Sequence, residues 1–419
     1  MFYTIAMIGI ILENVWNIYL LTRQRRKLLS SEYKGFVANN FSEKDFKTMK
    51  AYNTDNINYS MFSRTFSFII TMIMVGLNLY PILYSIITSK LYNLSDINQQ
   101  VIFMLALLQL SNIIDIPFSV YKTFYLEEKY GFNKTTVKTF VFDLLKNTVL
   151  SIMVLYPFLM ITLKIINVMN AGFWLYLFLF TFGFTVLLII LYPIFIQPVF
   201  NKFTPMEDSD LKSRIEKLGS SQGFNAKKIL IMDGSSRSSH SNAYFIGLFN
   251  ERRIVIYDTL LKQTDEDSLL GILAHELGHW KLGHTWRQLA INGMLQLTLI
   301  YFLDFCIFNA NFISSFIKGE APLILKIIYF QIFFNAFSPI LNVMMNFIIR
   351  YGEYEADGYA VKLGYGDSLI KGLISLYKEN KANTCPDELY SIYHHSHPTL
   401  LERIEYVKKQ ESELKKKEE

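Results

Sequence analysis

The chain has 419 residues, of which 51% are hydrophobic, 16% aromatic and only 18% charged. Soluble domains carry about a quarter charged residues, so this composition excludes an ordinary soluble globule. A net charge of +5 without a dense basic block excludes a nucleic-acid partner, and two distant cysteines, Cys306 and Cys385, exclude a disulfide framework.

Seven apolar stretches approach or exceed the roughly 20 residues that cross a bilayer. They run near 2–21, 65–88, 101–119, 148–169, 173–197, 288–310 and 323–349. The N-terminus lacks a basic leader and a small-residue cleavage site, so the first stretch reads as a retained span, although Glu13, Asn14 and Asn17 interrupt it. Glu13 and Asp115 read as groups facing a cavity or a neighbouring helix, because charge within a span is costly. Pro157, Pro193 and Pro339 read as kinks.

Lysines and arginines crowd alternate loops. Arg23, Arg25, Arg26 and Lys27 follow the first span, and Lys122, Lys129, Lys134, Lys138 and Lys146 follow the third. Lys90 alone follows the second span, and Lys318 alone follows the sixth. This alternation predicts a lumenal N-terminus, with the C-terminus and the long polar segments on the cytosolic side. Of four glycosylation sequons, at Asn40, Asn58, Asn93 and Asn133, Asn93 alone then falls in a lumenal loop.

The organisation follows in four parts: spans one to five with their loops (1–197), a polar segment (198–287), spans six and seven (288–349), and a second polar segment ending in a basic tail (350–419). Within the first polar segment, 207–219 reads as an amphipathic helix. Lys228–Met232, Asn242–Ile246 and Arg253–Tyr257 read as a small antiparallel sheet. The final residues, Leu414 onward, read as a solvated tail whose last four fit a dilysine signal for the endoplasmic reticulum.

The chemistry centres on His275-Glu276-Leu277-Gly278-His279, in a helical apolar run capped by Thr264 or Asp265. Residues four apart share a helix face, so both imidazoles can grip one zinc ion. Glu276 is then placed to take a proton from a water that the metal activates. Chance would produce roughly 0.01 such patterns from 7 His and 36 acidic residues, so the match is specific.

A catalytic zinc usually has a third protein ligand and an open position. Candidates are Glu353, Glu355, Asp357 and the histidines at 394–397; Glu353 is preferred, with Asp357 one turn on to hold a ligand imidazole. His284, five residues after His279, would lie about 140° round a continuous helix and reads as a surface or packing residue. His240 either lines the site or is solvated, and His394 and His395 read as orienting the segment that holds His397.

These segments, together with Ser239-His240-Ser241-Asn242-Ala243-Tyr244-Phe245 and His395-Ser396-His397-Pro398 before Leu401-Glu402-Arg403, resemble the Ste24-type CAAX prenyl protease family. Glu127 to Asn133, Tyr192 to Ile196 and Lys202 to Pro205 extend the similarity. The resemblance implies a mainly α, polytopic membrane protein. Seven helices would surround an intramembrane chamber closed by a small α+β zinc metalloprotease domain. It implies a protease in membrane lipid that removes the last three residues of prenylated CaaX proteins. By the same resemblance His275, His279 and Glu353 would hold zinc, Glu276 would be the catalytic glutamate, and Asp357 would support a ligand histidine. His397 would contact the developing oxyanion and Arg403 would hold the Glu353 carboxylate. Asn242, Ala243, Tyr244 and Phe245 would pair with substrate. One departure is Glu355, where the family commonly has an amide.

Two other readings share these features. A membrane quality-control zinc protease of the same clan fits the motif but does not need seven spans. A receptor or transporter with a structural zinc fits the intramembrane charges but would need four protein ligands and leaves Glu276 without a task.

Overall fold

The computed structural model describes residues 1–246 and 252–418. The chain is mainly helical, as its apolar runs require. The membrane part begins with α1 (Phe2–Ser30), α2 (Glu43–Gly76), the short α3 (Leu79–Thr88), α4 (Asp96–Tyr121), α5 (Val137–Met169) and α6 (Trp174–Leu191). α4 and α6 each run on into a π-helical turn, Lys122–Glu127 and Tyr192–Ile196.

β1 (Phe203–Pro205), α7 (Asp210–Ser221), β2 (Lys228–Met232), β3 (Ala243–Ile246) and β4 (Arg253–Tyr257) follow. Next come α8 (Glu266–Lys281), α9 (His284–Ile307), α10 (Leu323–Asn335), α11 (Ser338–Lys362), α12 (Gly366–Glu379), α13 (Glu388–His394) and α14 (Leu400–Glu418).

Among the described residues six helices are long and apolar enough to cross a bilayer, and the count is seven if the bent pair α10–α11 is one broken span. The bend is 63°, where Pro339 sits in the first turn of α11. Proline has no N–H to continue a helix and clashes with the preceding turn, so the run 323–349 is not one straight span. The run 65–88 is also divided. Its helix starts at Glu43 and stops at Gly76, and Asn78 turns left-handed with φ 52° before α3. Asparagine tolerates that conformation, and its side chain accepts the Tyr329 hydroxyl hydrogen.

The charges within the spans are accounted for. Asp304, near the end of α9, accepts a 2.9 Å hydrogen bond from the Gly172 N–H and so ties down the turn before α6. Glu13 lines a cavity of about 220 Å³ with Arg64, Asn14 and Asn335, and Asp115 lines one of about 400 Å³. Charge within a span is expected to face such a cavity rather than lipid.

The sheet is mixed, in the order β1-β2-β4-β3, with β2 and β4 parallel and both outer pairs antiparallel. The expectation of a purely antiparallel sheet is therefore corrected. After β2 the chain crosses to the far side and lays down β3 in the reverse direction. β4 then returns between them and takes the direction of β2. β1 was not foreseen, because three residues carry no periodicity. β3 has β4 on one side only, so its other edge is unpaired among the described strands.

Beneath the sheet, Leu269, Leu270, Leu273, Ala274 and Leu277 of α8 pack with Ile254, Ile256, Leu369, Leu373, Ile404 and Val407. The C-terminal residues are not a loose tail: α14 runs to Glu418, and Leu414 packs against this core. α8 and α12 approach so closely that a Cβ at Gly271 would lie 2.4 Å from the Leu369 backbone nitrogen. Gly271→Ala is therefore expected to destabilise the polar domain by about 1–3 kcal/mol, because backbone rather than a flexible side chain must yield. Thermal unfolding of the purified variant measures this.

Candidate metal centre

α8 begins at Asp265, whose carboxylate accepts a 3.0 Å bond from the Ser268 N–H; of the two capping candidates, the aspartate does the work. From that start the 3.6-residue repeat brings His275 and His279 to one face, with their Nε2 atoms 3.1 Å apart. α11 crosses this face and presents Glu353, its Oε2 3.5 Å from His275 Nε2 and its Oε1 3.3 Å from His279 Nε2. Four donors at zinc distance define a tetrahedron with edges of about 3.3 Å. Here the two Nε2 atoms are 3.1 Å apart and each faces a different Glu353 oxygen, at 3.5 and 3.3 Å, so one cation could be reached by both imidazoles and the carboxylate. Glu353 Oε2 is buried with no hydrogen-bond partner, as an oxygen reserved for a cation would be.

Behind the ligands, Asp357 Oδ1 lies 2.8 Å from His275 Nδ1, and Asp357 is wholly buried. Arg403, from α14, donates to both Asp357 oxygens, at 2.9 and 2.6 Å. Its closest approach to Glu353 is 3.7 Å. Arg403 thus faces Glu353 at ion-pair distance, while its hydrogen bonds to carboxylate go to Asp357, a partner the sequence reading did not give it. Burial opposes the Arg403 charge, and the Asp357 carboxylate more than restores it, so the guanidinium stays protonated.

Glu276 shares a cavity of about 160 Å³ with Phe245, His279 and Trp280. Burial pushes its carboxyl above the usual range, towards the pH at which it can exchange a proton. His397 opens toward the site, with Nε2 3.5 Å from Glu353 Oε1. Ser396 Oγ lies 3.0 Å from His397 Nδ1; a hydroxyl donated there leaves the ring proton on Nε2.

β3 runs beside α8. Asn242 sits just before the strand and accepts from the Ala243 N–H at 2.9 Å. Ala243, Tyr244 and Phe245 form the strand, and Phe245 borders the Glu276 cavity. His240 is part-exposed and held in place by its neighbours. It stacks on Phe132 at 4.0 Å, and its nitrogens lie 3.1 Å from Asn380 Oδ1 and 3.3 Å from Glu127 Oε2. His395 meets Ser391 Oγ at 3.1 Å, and His394 packs on Tyr390 and Tyr393, so both support the segment that carries His397.

His284 was missed as a member of the site. It is buried, and its Nδ1 lies 2.7 Å from His279 Nδ1. The helix is not continuous: Gly283 takes φ 69°, ending α8 and turning the first residue of α9 back onto it. The Leu282-Gly283 pair was the available signal, since glycine after a helix commonly stops it.

Comparison with known proteins agrees with this geometry. Residues 23–202 match the CAAX prenyl protease N-terminal family, described as five membrane helices, and residues 205–411 match peptidase family M48. CAAX prenyl protease 1 of Saccharomyces cerevisiae is 35% identical over 411 residues, covering 92% of this chain and 90% of its own. The Homo sapiens CAAX prenyl protease 1 homolog is 34% identical over 352 residues, covering 75% and 74%. The crystal structure of S. mikatae Ste24p superposes with a TM-score of 0.91 at 33% identity, over 97% of this chain and 98% of that one. A membrane-embedded helical chain with this His-His-Glu group and these relatives is a metalloprotease of CAAX processing, and it belongs to the CAAX prenyl protease 1 family.

Proposed function

We propose that this protease removes the last three residues of prenylated CaaX proteins at a zinc ion held by His275, His279 and Glu353. The observation that carries the reading is the convergence of His275, His279 and the Glu353 carboxylate, with Glu276 in the adjoining cavity. Bound there, zinc would supply a Lewis acid that acidifies water and polarises a peptide carbonyl.

The protein's own groups do the rest. Glu276 accepts the proton of the attacking water and passes it to the leaving amine. His397 donates from Nε2 to the carbonyl oxygen as charge develops on it. Asp357 fixes the His275 ring, and Arg403 neutralises Asp357. An extended peptide adds to the free edge of β3, held by main-chain hydrogen bonds over Asn242 to Phe245. The prenyl chain, gaining about 0.8 kcal/mol per buried CH₂, stays in the apolar space among the spans. The loop charges support a site on the cytosolic side with the N-terminus in the lumen, and the tail lysines fit residence in the endoplasmic reticulum.

Glu276→Gln keeps all three metal ligands and removes the base. Purified enzyme is expected to retain zinc by elemental analysis and to lose cleavage of a farnesylated CaaX peptide by at least about 100-fold. Retained cleavage rules out the mechanism. Because burial raises the Glu276 carboxyl and the base must be ionised, activity falls as pH drops through that raised value. The acid limb of kcat/KM is therefore expected above the ordinary carboxylate range, and it should be absent from any residual activity of Glu276→Gln. For topology, the sequon at Asn93 is expected to accept a glycan in microsomes while those at Asn40 and Asn133 do not. A glycan on either of the latter reverses the orientation.

A further inference from the structure

His279 offers Nε2 to the metal-binding face, so its ring proton belongs on Nδ1. His284 Nδ1 stands 2.7 Å from that atom. With its Nδ1 accepting, His284 keeps its own proton on Nε2, which is buried, makes no hydrogen bond of its own and stands 3.2 Å from Glu355 Oε2, at ion-pair distance. Arg287 donates to the same oxygen at 2.8 Å. The row thus runs from one ligand ring, through a second imidazole, to a carboxylate already held by an arginine.

We infer that His284 and Glu355 are positioning residues for the metal centre: His284 locks the tautomer and rotation of His279, and Glu355 locks His284. The inference rests on the metal site proposed above and assigns residues that site did not include.

Burial supports it, because His284 is 9% exposed and has little access to water as an alternative partner. Space supports it too. A Cβ at Gly352 would lie 3.0 Å from Arg287 Nη2 and 3.4 Å from His284 Nδ1, so a side chain there would press on the row. The two ligand histidines are also treated alike. His275 is backed directly by Asp357, which Arg403 holds, and His279 is backed through a ring by Glu355, which Arg287 holds. The charge at Glu355 therefore does not disturb the zinc group from outside. It is the far end of the support for one ligand.

Removing a partner behind a ligand imidazole typically costs about 10–100-fold in metal affinity. The test is zinc competition against a chelating dye with full-length protein in detergent, alongside thermal unfolding of each metal-free variant. His284→Ala is expected to weaken zinc binding about 10–100-fold while the metal-free unfolding temperature stays close to wild type. His284→Asn, whose Oδ1 replaces the accepting Nδ1, is expected to recover most of the loss. Glu355→Gln keeps an acceptor and is expected to bind nearly as wild type, whereas Glu355→Leu binds several-fold more weakly.

Wild-type binding by His284→Ala, or no better binding by His284→Asn than by His284→Ala, overturns the inference. If His284→Ala does not fold, the two Glu355 variants decide, and equal binding by them overturns it. His279→Ala separates the two levels: if it too leaves zinc binding unchanged, the metal site itself is wrong rather than its support.

Discussion

The structure depends on the crossing of α8 and α11, because that crossing buries more charge than a protein interior accepts without strict pairing. Glu353 is 3% exposed, Asp357 0% and Arg403 7%, beside an imidazole that is itself buried. Isolated charges in such surroundings are costly by several kcal/mol each, and they persist only when paired. Arg403 answers Asp357 with two hydrogen bonds, and Asp357 answers His275. Glu353 is left over, with one oxygen lacking any hydrogen bond. The set is electrostatically short of one cation, and the gap lies where three donor atoms converge. Metal binding and folding stability are coupled through that shortfall.

Both helices that make the crossing are tied to the membrane part. α8 ends at Lys281 and α9, a span, begins at His284. α11 leaves the 63° bend at Pro339 and carries Glu353 and Asp357 in its distal half. The candidate donors therefore sit on helices that lead straight into the membrane part, and no long loop intervenes to absorb error. A site built on helices holds its geometry more tightly than one built on loops. The bend belongs to the same design, because it gives α11, which carries Glu353 across α8, a direction of its own apart from α10.

How much of this was legible follows from range. The zinc motif, the Asp265 cap and the Glu353–Asp357 pair are local statements about helical repeat, and they stand where the periodicity puts them. The Arg403–Asp357 hydrogen bonds were not foreseen beside the Glu353 pairing, because 46 residues separate the two and no spacing rule connects them. His284 was misplaced by one glycine: a continuous helix points it away from His279, and a left-handed residue returns it. Hydropathy located the spans and Pro339 signalled the bend in the last, but the break at Asn78 escaped because it changes direction without changing polarity. The order of the strands was beyond reach for another reason. β4 inserts between β2 and β3, and only packing of the whole domain decides that.

The edge strand shows how the two parts act as one. His240, three residues before β3, is fixed from three directions: Phe132 beneath its ring, Asn380 at the end of α12, and Glu127 in the π-helical turn that continues α4. Tyr52 of α2 donates to Glu127 at 2.9 Å, so the anchor reaches two membrane helices. Ser241 N–H also donates to Asn380 Oδ1 at 3.1 Å, which leaves little freedom just before Asn242. A peptide that pairs with such a strand must adopt the strand's geometry rather than reshape it. The ordering cost then falls mainly on the peptide, whose backbone is already extended when it pairs. The π-helical turn is thus more than an irregularity in a span: by aiming Glu127 at His240 it transmits the position of the membrane helices to the edge where the peptide would lie.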